Sequence, residues 1–493
     1  MGRRAAPEPD RHGATTSEEA TSTDNAVSRS STVRSGSTGL EGAARSAEPA
    51  RAAGTGGDPE AARARGASGP PGASEPLPAP GLPRAFGPSG VSGALRAGLA
   101  SLVSPTTVRA RGGRAVAGAA CAVALLTGAA VLTAPANTVA QRTAACGEGT
   151  YQAEATLSGG TWTARRGSVV VHTGTDMRAA MQAAIGSLTS GRTSKERVVV
   201  RGSGTIGAGA RVSLPSHTVL DVCGTINVTG SGSGDQAPVY ARGVRDIEVQ
   251  HLNVTGAPLY GIFMRNVTDV VLGQIDMRLS AGLGVRIDNR GDTSQWTRNV
   301  RIDSVYVSGA SSHAVETYGV DGLTVGTVTA RNVGESGLLL NQTVNATVTK
   351  VDADGAGTGT GYAAFRMANR NGRIGSGYPT NIRVGEVVAR GGGRGVFCVS
   401  ESGGATIDRV TLTNTGNNAV LIENCSNVNL AAQGGSVTGG GEIRLAARSE
   451  FPNNSDILIQ NLTVTNSAIR ESPCGTNTTF RNNTLVNSSQ SIC

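Results

Sequence analysis

Asp288 and Glu316, near the middle of the chain, stand among residues able to support acid–base chemistry. Arg286, His313 and Tyr318 lie beside them, Arg265 precedes them, and Asn341 and Arg366 follow. Two carboxyls held about 6.5–9.5 Å apart can hydrolyse a glycosidic bond with inversion, one protonating the leaving oxygen while the other activates water. Glu316, between His313 and Tyr318, is then the general acid, and Asp288, near Arg286, stays ionised as the base. The same set suits a β-elimination on a polyuronate. Arg286 and Arg366 would neutralise the sugar carboxylate while Tyr318, His313 or an arginine takes the C5 proton. Calcium would serve that second chemistry through Asp288, Asp292 and Glu316, although no compact calcium-loop motif is present; hydrolysis needs no cofactor.

Elements of a particular kind must position these residues. Starting at Asp246, a pattern of polar-φ-x-φ-x-x-φ-x-φ (φ mostly apolar) recurs at Asp269, Asn299, Gly322, Asn345, Asn381, Gly404, Asn427 and Asp456. The intervals are 23, 30, 23, 23, 36, 23, 23 and 29 residues. Apolar residues at every second position indicate strands, two per unit. A third strand follows about fifteen residues after most starts, as in Gly284-Val285-Arg286-Ile287 and Ala314-Val315-Glu316-Thr317. Three short strands per ~23 residues, stacked unit on unit, make a parallel β-helix.

The register then says which third-strand side chains face outward: Phe263/Arg265, Arg286/Asp288, Glu316/Tyr318, Leu339/Asn341 and Arg366/Ala368, with the coil at Val396–Glu401 ambiguous by one residue. One coil and two positions separate Asp288 from Glu316, so their backbones should lie ~8 Å apart. The long intervals carry insertions at about 290–297, 369–380 and 447–455, each after a third strand and each with one aromatic residue: Trp296, Tyr378 and Phe451. Insertions in a repeat protein gather on one face, often the binding face. These rings are candidate sugar platforms.

Composition agrees with a narrow solenoid. Among 493 residues, Gly numbers 70, aromatics are 3% and charged residues 16%, too little charge for a coiled coil and no three-residue Gly period for collagen. The net charge of +8 divides evenly between residues 1–114 and the rest, which leaves the larger part nearly balanced and argues against nucleic-acid binding.

Residues 1–107, with 12 of the 19 prolines, read as a disordered leader, and translation is expected to begin near Val103 or Val108. Arg109, Arg111 and Arg114, the apolar run 115–134 and Ala134-Pro135-Ala136 place a signal peptide at 108–136; uncleaved, the run would be a membrane anchor. The mature chain is expected to be secreted and monomeric. Thr175-Asp176 followed by apolar residues to Leu188 reads as a capping helix, 176–188, within an N-terminal region of 137–216. Coils should occupy 217–470, with a C-terminal cap at 471–493. Six cysteines remain in the mature chain, an even set that fits disulfides; Cys474–Cys493 closes the shortest loop.

The helix, Arg197-Val198-Val199-Val200 and Leu214-Pro215-Ser216-His217-Thr218-Val219-Leu220 together resemble the opening segment of the pectin lyase-like superfamily, over roughly 168–470. The resemblance implies a right-handed parallel β-helix and a polysaccharide partner, with hydrolases, lyases and non-catalytic proteins all represented. The opening segment is most like that of polygalacturonases. Their Asn-Thr-Asp, Asp-Asp, Gly-His-Gly and Arg-Ile-Lys motifs are not intact here, and only Ser311-Ser312-His313-Ala314 and Arg286-Ile287-Asp288 echo them, so no catalytic residue is carried over. The expected activity is glycoside hydrolysis first, elimination second, with a non-catalytic cell-surface glycan-binding or structural protein as the rival.

Overall fold

The computed structural model describes residues 144–289 and 294–493. The expected leader, the signal segment and Asp292 lie outside the described residues. The described chain opens with a three-stranded antiparallel meander, Ala153–Ser158, Thr161–Arg166 and Val169–Gly174. A helix, Met177–Gly186, follows. Asp176 caps it by accepting from the backbone N–H groups of Arg178 (2.8 Å) and Ala179 (3.3 Å). Met177, Ala180, Met181, Ala184 and Ile185 are buried on one stripe, closing the end of the solenoid.

From Glu196–Arg201 onward every pairing between named strands is parallel. Stacking thus begins before 217, because Glu196–Arg201 already lies on Thr218–Val222. It also continues past 470: Thr479–Arg481, Thr484–Val486 and Ser489–Ser491 form a last thin coil, and the Cys474–Cys493 disulfide ties it down. The other disulfides are Cys146–Cys223, which fastens the start of the described chain to an early coil, and Cys398–Cys425, inside the core.

The core is a set of ladders in which like stacks on like. Ile247, Val270, Val300, Leu323, Ala346, Ile382, Ala405 and Val428 succeed one another along one ladder, all buried. Small and β-branched residues fill so narrow a prism, which is why few aromatics suffice. Some inward positions are polar: Thr317 is fully buried, and its hydroxyl meets that of Thr343 at 2.9 Å.

The polar residue that opens each repeat has a backbone reason. Asp246, Asp269, Asn299, Gly322, Asn345, Gly404, Asn427 and Asp456 all have φ between 52° and 82°. The corner needs a left-handed residue, a conformation that Gly adopts freely and Asn or Asp tolerates best. Asn381 alone is outside that set, and it follows the longest insertion.

Candidate functional site

The third strands stack into one sheet whose outward side chains form two rows. Phe263, Arg286, Glu316, Leu339, Arg366, Phe397 and Leu421 make the first, and Arg265, Asp288, Tyr318, Asn341 and Ala368 the second. The coil that was ambiguous by one residue resolves with Phe397 outward and Cys398 inward.

In the middle of this face the charges are fused into one chain. Arg265 grips Asp288 with two bonds (Nε–Oδ1 2.5 Å, Nη2–Oδ2 2.8 Å) and reaches Asp235 with its remaining nitrogen at 2.7 Å. Arg286 bridges Asp288 (2.8 Å) to Glu316 (2.7 Å). Asn341 donates to the other Glu316 oxygen at 3.1 Å, and Asn369 donates to Asn341 at 2.9 Å. Asp288 is fully buried and Glu316 is 7% exposed.

The two carboxyls are driven apart. Burial pushes Asp288 up, but the hydrogen bonds and charges of Arg265 and Arg286 outweigh it and hold Asp288 below the usual carboxylate range. Glu316 moves the other way: burial raises it, Asp288 and Glu335 add to the rise, and Arg286 offsets only part. Glu316 is therefore the more basic carboxylate of the pair and Asp288 the more firmly ionised one. Asp288 is poorly placed to activate water because two guanidiniums hold both its oxygens, whereas Glu316 meets one guanidinium and, on its other oxygen, only the neutral Asn341 amide. Of the three carboxylates that would serve calcium, Asp288 and Glu316 are held by Arg265, Arg286 and Asn341, and Asp292 lies outside the described residues.

His313 comes to the same face with both ring nitrogens in use. Nδ1 accepts from the backbone N–H of Ser336 (2.9 Å), which puts the proton on Nε2, 3.0 Å from Glu335. Burial, with Arg366 and Arg286 nearby, lowers its pKa to about 3. It is a neutral wall residue set edge-on against Tyr362 (5.5 Å between centroids) and has no free nitrogen for proton abstraction. Tyr318 is half-buried; burial and then Glu316 raise its pKa, so it stays a phenol at neutral pH.

Arg366 differs from the other arginines. Its guanidinium lies over Tyr362 (4.5 Å) and Phe397 (5.1 Å), no carboxylate pairs with it among the described residues, and its buried Nε has no acceptor there. Arg394 also sits over Phe397 at 4.7 Å, bonded to the Asn418 side-chain oxygen but to no carboxylate among the described residues. Burial lowers its pKa, the charge of Glu423 offsets part of that, and Arg366 adds to the lowering. Two cations sharing one ring make a place for an anion. Sequence reasoning missed Tyr362, Arg394 and Phe397; resolving the register of Val396–Glu401 would have exposed Phe397.

The insertion aromatics are divided. The Tyr378 hydroxyl donates to the Glu401 carbonyl, and Phe451 lies under Arg448 (5.2 Å), which itself reaches Ser400 and Glu423. Both loops are thus fastened around one turn, 400–401, and their rings serve partly to hold them there. Trp296 is half-buried beside Thr297, whose hydroxyl donates to the Asp288 carbonyl.

No protein family's sequence profile matches this chain, and no curated protein does. Among solved structures it is similar to the A-module of the Azotobacter vinelandii mannuronan C-5 epimerase AlgE4, at 14% identity and a TM-score of 0.35, over 64% of this chain and 94% of that one. It is also similar to the Streptococcus pneumoniae surface protein and adhesin PfbA (11%, TM-score 0.27, 64% and 96%) and to the receptor-binding tailspike of bacteriophage Det7 (11%, 0.24, 64% and 74%). The chain's own strand pairings make it a parallel β-helix.

Proposed function

We propose that the chain binds an extended, carboxylate-bearing polysaccharide along the third-strand face and cuts it by β-elimination. The observation that carries this reading is Arg366, a guanidinium without a carboxylate partner among the described residues, two coils from a glutamic acid whose pKa is raised. In elimination a base removes the C5 proton of a uronate, its electrons form the C4–C5 double bond, and the C4–O bond breaks with protonation of the leaving oxygen. Arg366, with Arg394 behind it, would meet the substrate carboxylate and stabilise the charge that builds there. Glu316 suits the base, because a lifted carboxylate pKa brings it nearer neutrality. Tyr318, two residues along the same face and protonated at neutral pH, suits the donor to the leaving oxygen. Asp288 then positions Arg286 and does not touch substrate. Hydrolysis with Asp288 as base is disfavoured by its burial between two guanidiniums.

Three disulfides fit an oxidising, extracellular setting. Among the described residues no helix is long and apolar enough to cross a membrane. The test is incubation with polygalacturonate, alginate and glucuronate-bearing polymers, each alongside its carboxyl-reduced form. Wild type should release unsaturated uronates from one of the acidic polymers, with Glu316→Gln and Arg366→Ala lowering the rate at least ~100-fold, as loss of a proton-transfer or charge-stabilising group does. Equal cutting of the carboxyl-reduced polymer would contradict the role of Arg366. Binding without cutting would favour a non-catalytic surface.

A further inference from the structure

A second site lies away from the third-strand face, over the first and second strands of the early coils. A cavity of about 360 Å³ opens there, within the range of small-ligand sites. Its wall is a grid fixed by strand register. His251, Gln274 and Ser304 stack in one row, and Asn253, Asp276 and Tyr306 stack two residues along. The grid measures roughly 10 Å by 7 Å at ordinary strand spacing and rise. The Cys146–Cys223 disulfide closes one end.

His251 is oriented by a buried anion. Its Nδ1 lies 2.7 Å from Asp221, which is fully buried and also accepts from the Gly147 N–H (2.8 Å) and from Arg197. Nδ1 is thus held by Asp221, and Nε2 has no partner among the described residues. Cys146, Asp221 and His251 cluster closely enough to suggest a metal, but Cys146 is spent in the disulfide and Asp221 is filled by donors. The single charge in the grid, Asp276, is paired with Arg278 (3.1 Å at both contacts), and Arg278 also covers Tyr306 (5.3 Å). The wall therefore presents hydroxyls, the Asn253 amide, an imidazole nitrogen and a paired carboxylate beside one ring. No unpaired cation is present among the lining residues to hold a phosphate, and the exposed apolar surface is too small for a lipid.

We propose that this cavity is a second carbohydrate site that takes a neutral sugar unit, independent of the chemistry on the third-strand face. Hydroxyl-bearing ligands match a wall whose groups both donate and accept. The probes are D-glucose, D-galactose, D-mannose, N-acetylglucosamine and N-acetylgalactosamine, each examined by saturation-transfer NMR with the full chain. At least one should receive saturation from wild type. Asn253→Leu and, separately, Tyr306→Ala should reduce that transfer at least ~5-fold while thermal melting stays near wild type, since both side chains face outward. Glu316→Gln should leave it unchanged. The proposal is overturned if no probe receives saturation, if both cavity variants keep the wild-type transfer, or if Glu316→Gln abolishes it. Failure of polysaccharide cleavage would leave these results untouched, so the two sites are judged separately.

Discussion

Replacing Asp288 by Asn tests whether the ion-pair chain is a fixed structural device. The substitution keeps the shape but removes a fully buried anion and turns one acceptor into a donor facing a guanidinium. Breaking one partner of a buried pair costs ~3–5 kcal/mol. Arg265 keeps Asp235 and Arg286 keeps Glu316, both at 2.7 Å, so the low end of that range, ~3 kcal/mol, is expected here. Coils of a solenoid open by neighbours, and local exchange is a cleaner readout than one global melt. At about 1.4 kcal/mol per decade, amides of Leu283–Asp288 should exchange roughly 100-fold faster in the variant. Asp303→Asn, which breaks the exposed 3.2 Å pair with Arg301, is the control and should change little. The sign with pH is also fixed. The folded pKa of Asp288 is depressed, so its contribution is complete above the unfolded value of ~3.9 and fades as pH falls through the lower folded value. The gap between wild type and variant should persist from pH 7 to about 4 and close below that. An exchange change no larger than that of Asp303→Asn would refute the reasoning.

Other expectations follow from the same physics. Asn299 sits at φ 54°, so Asn299→Ala should lose ~1–2 kcal/mol from left-handed strain while Asn299→Gly stays closer to wild type, read by chemical denaturation. Replacing both Cys398 and Cys425 by Ala should cost about 3.5 kcal/mol by loop entropy for a separation of 27 residues, read by the shift of the unfolding midpoint. His313 is held neutral in the folded state, with its pKa lowered to about 3. Stability should therefore fall as pH drops from the unfolded value of ~6.5 toward 3, and His313→Gln should flatten that slope in melts across the range.

How much of this was legible in the sequence depends on the kind of signal. The register of Asp288 against Tyr318 and Arg286 against Glu316 follows from apolar alternation alone, because an inward slip would bury charge in a dry core. The capping helix was legible for the same reason, through Asp176 and its apolar stripe. Side-chain partnerships were not. Nothing in the spacing says that Arg265 would close on Asp288 from the preceding coil, or that Asn341 would reach back to Glu316; those contacts depend on rotamers chosen across coils. Asp288 therefore looked like a water-activating base when it is a clamped anion. His313 misled in the same way: its neighbours in sequence are uncharged, while the Glu335 and Ser336 that occupy it come from the next coil. The cavity around His251 escaped notice because its grid spans three coils and its residue types are ordinary for a solvated sheet.

The most direct measurement is mass spectrometry of the products that wild type releases from a carboxylated polysaccharide. Elimination leaves a new non-reducing end lighter by one water than hydrolysis would. We expect unsaturated, water-deficient oligouronides that disappear in Arg366→Ala. Saturated products that persist in Arg366→Ala, or no product from any acidic polymer, would contradict β-elimination on the third-strand face.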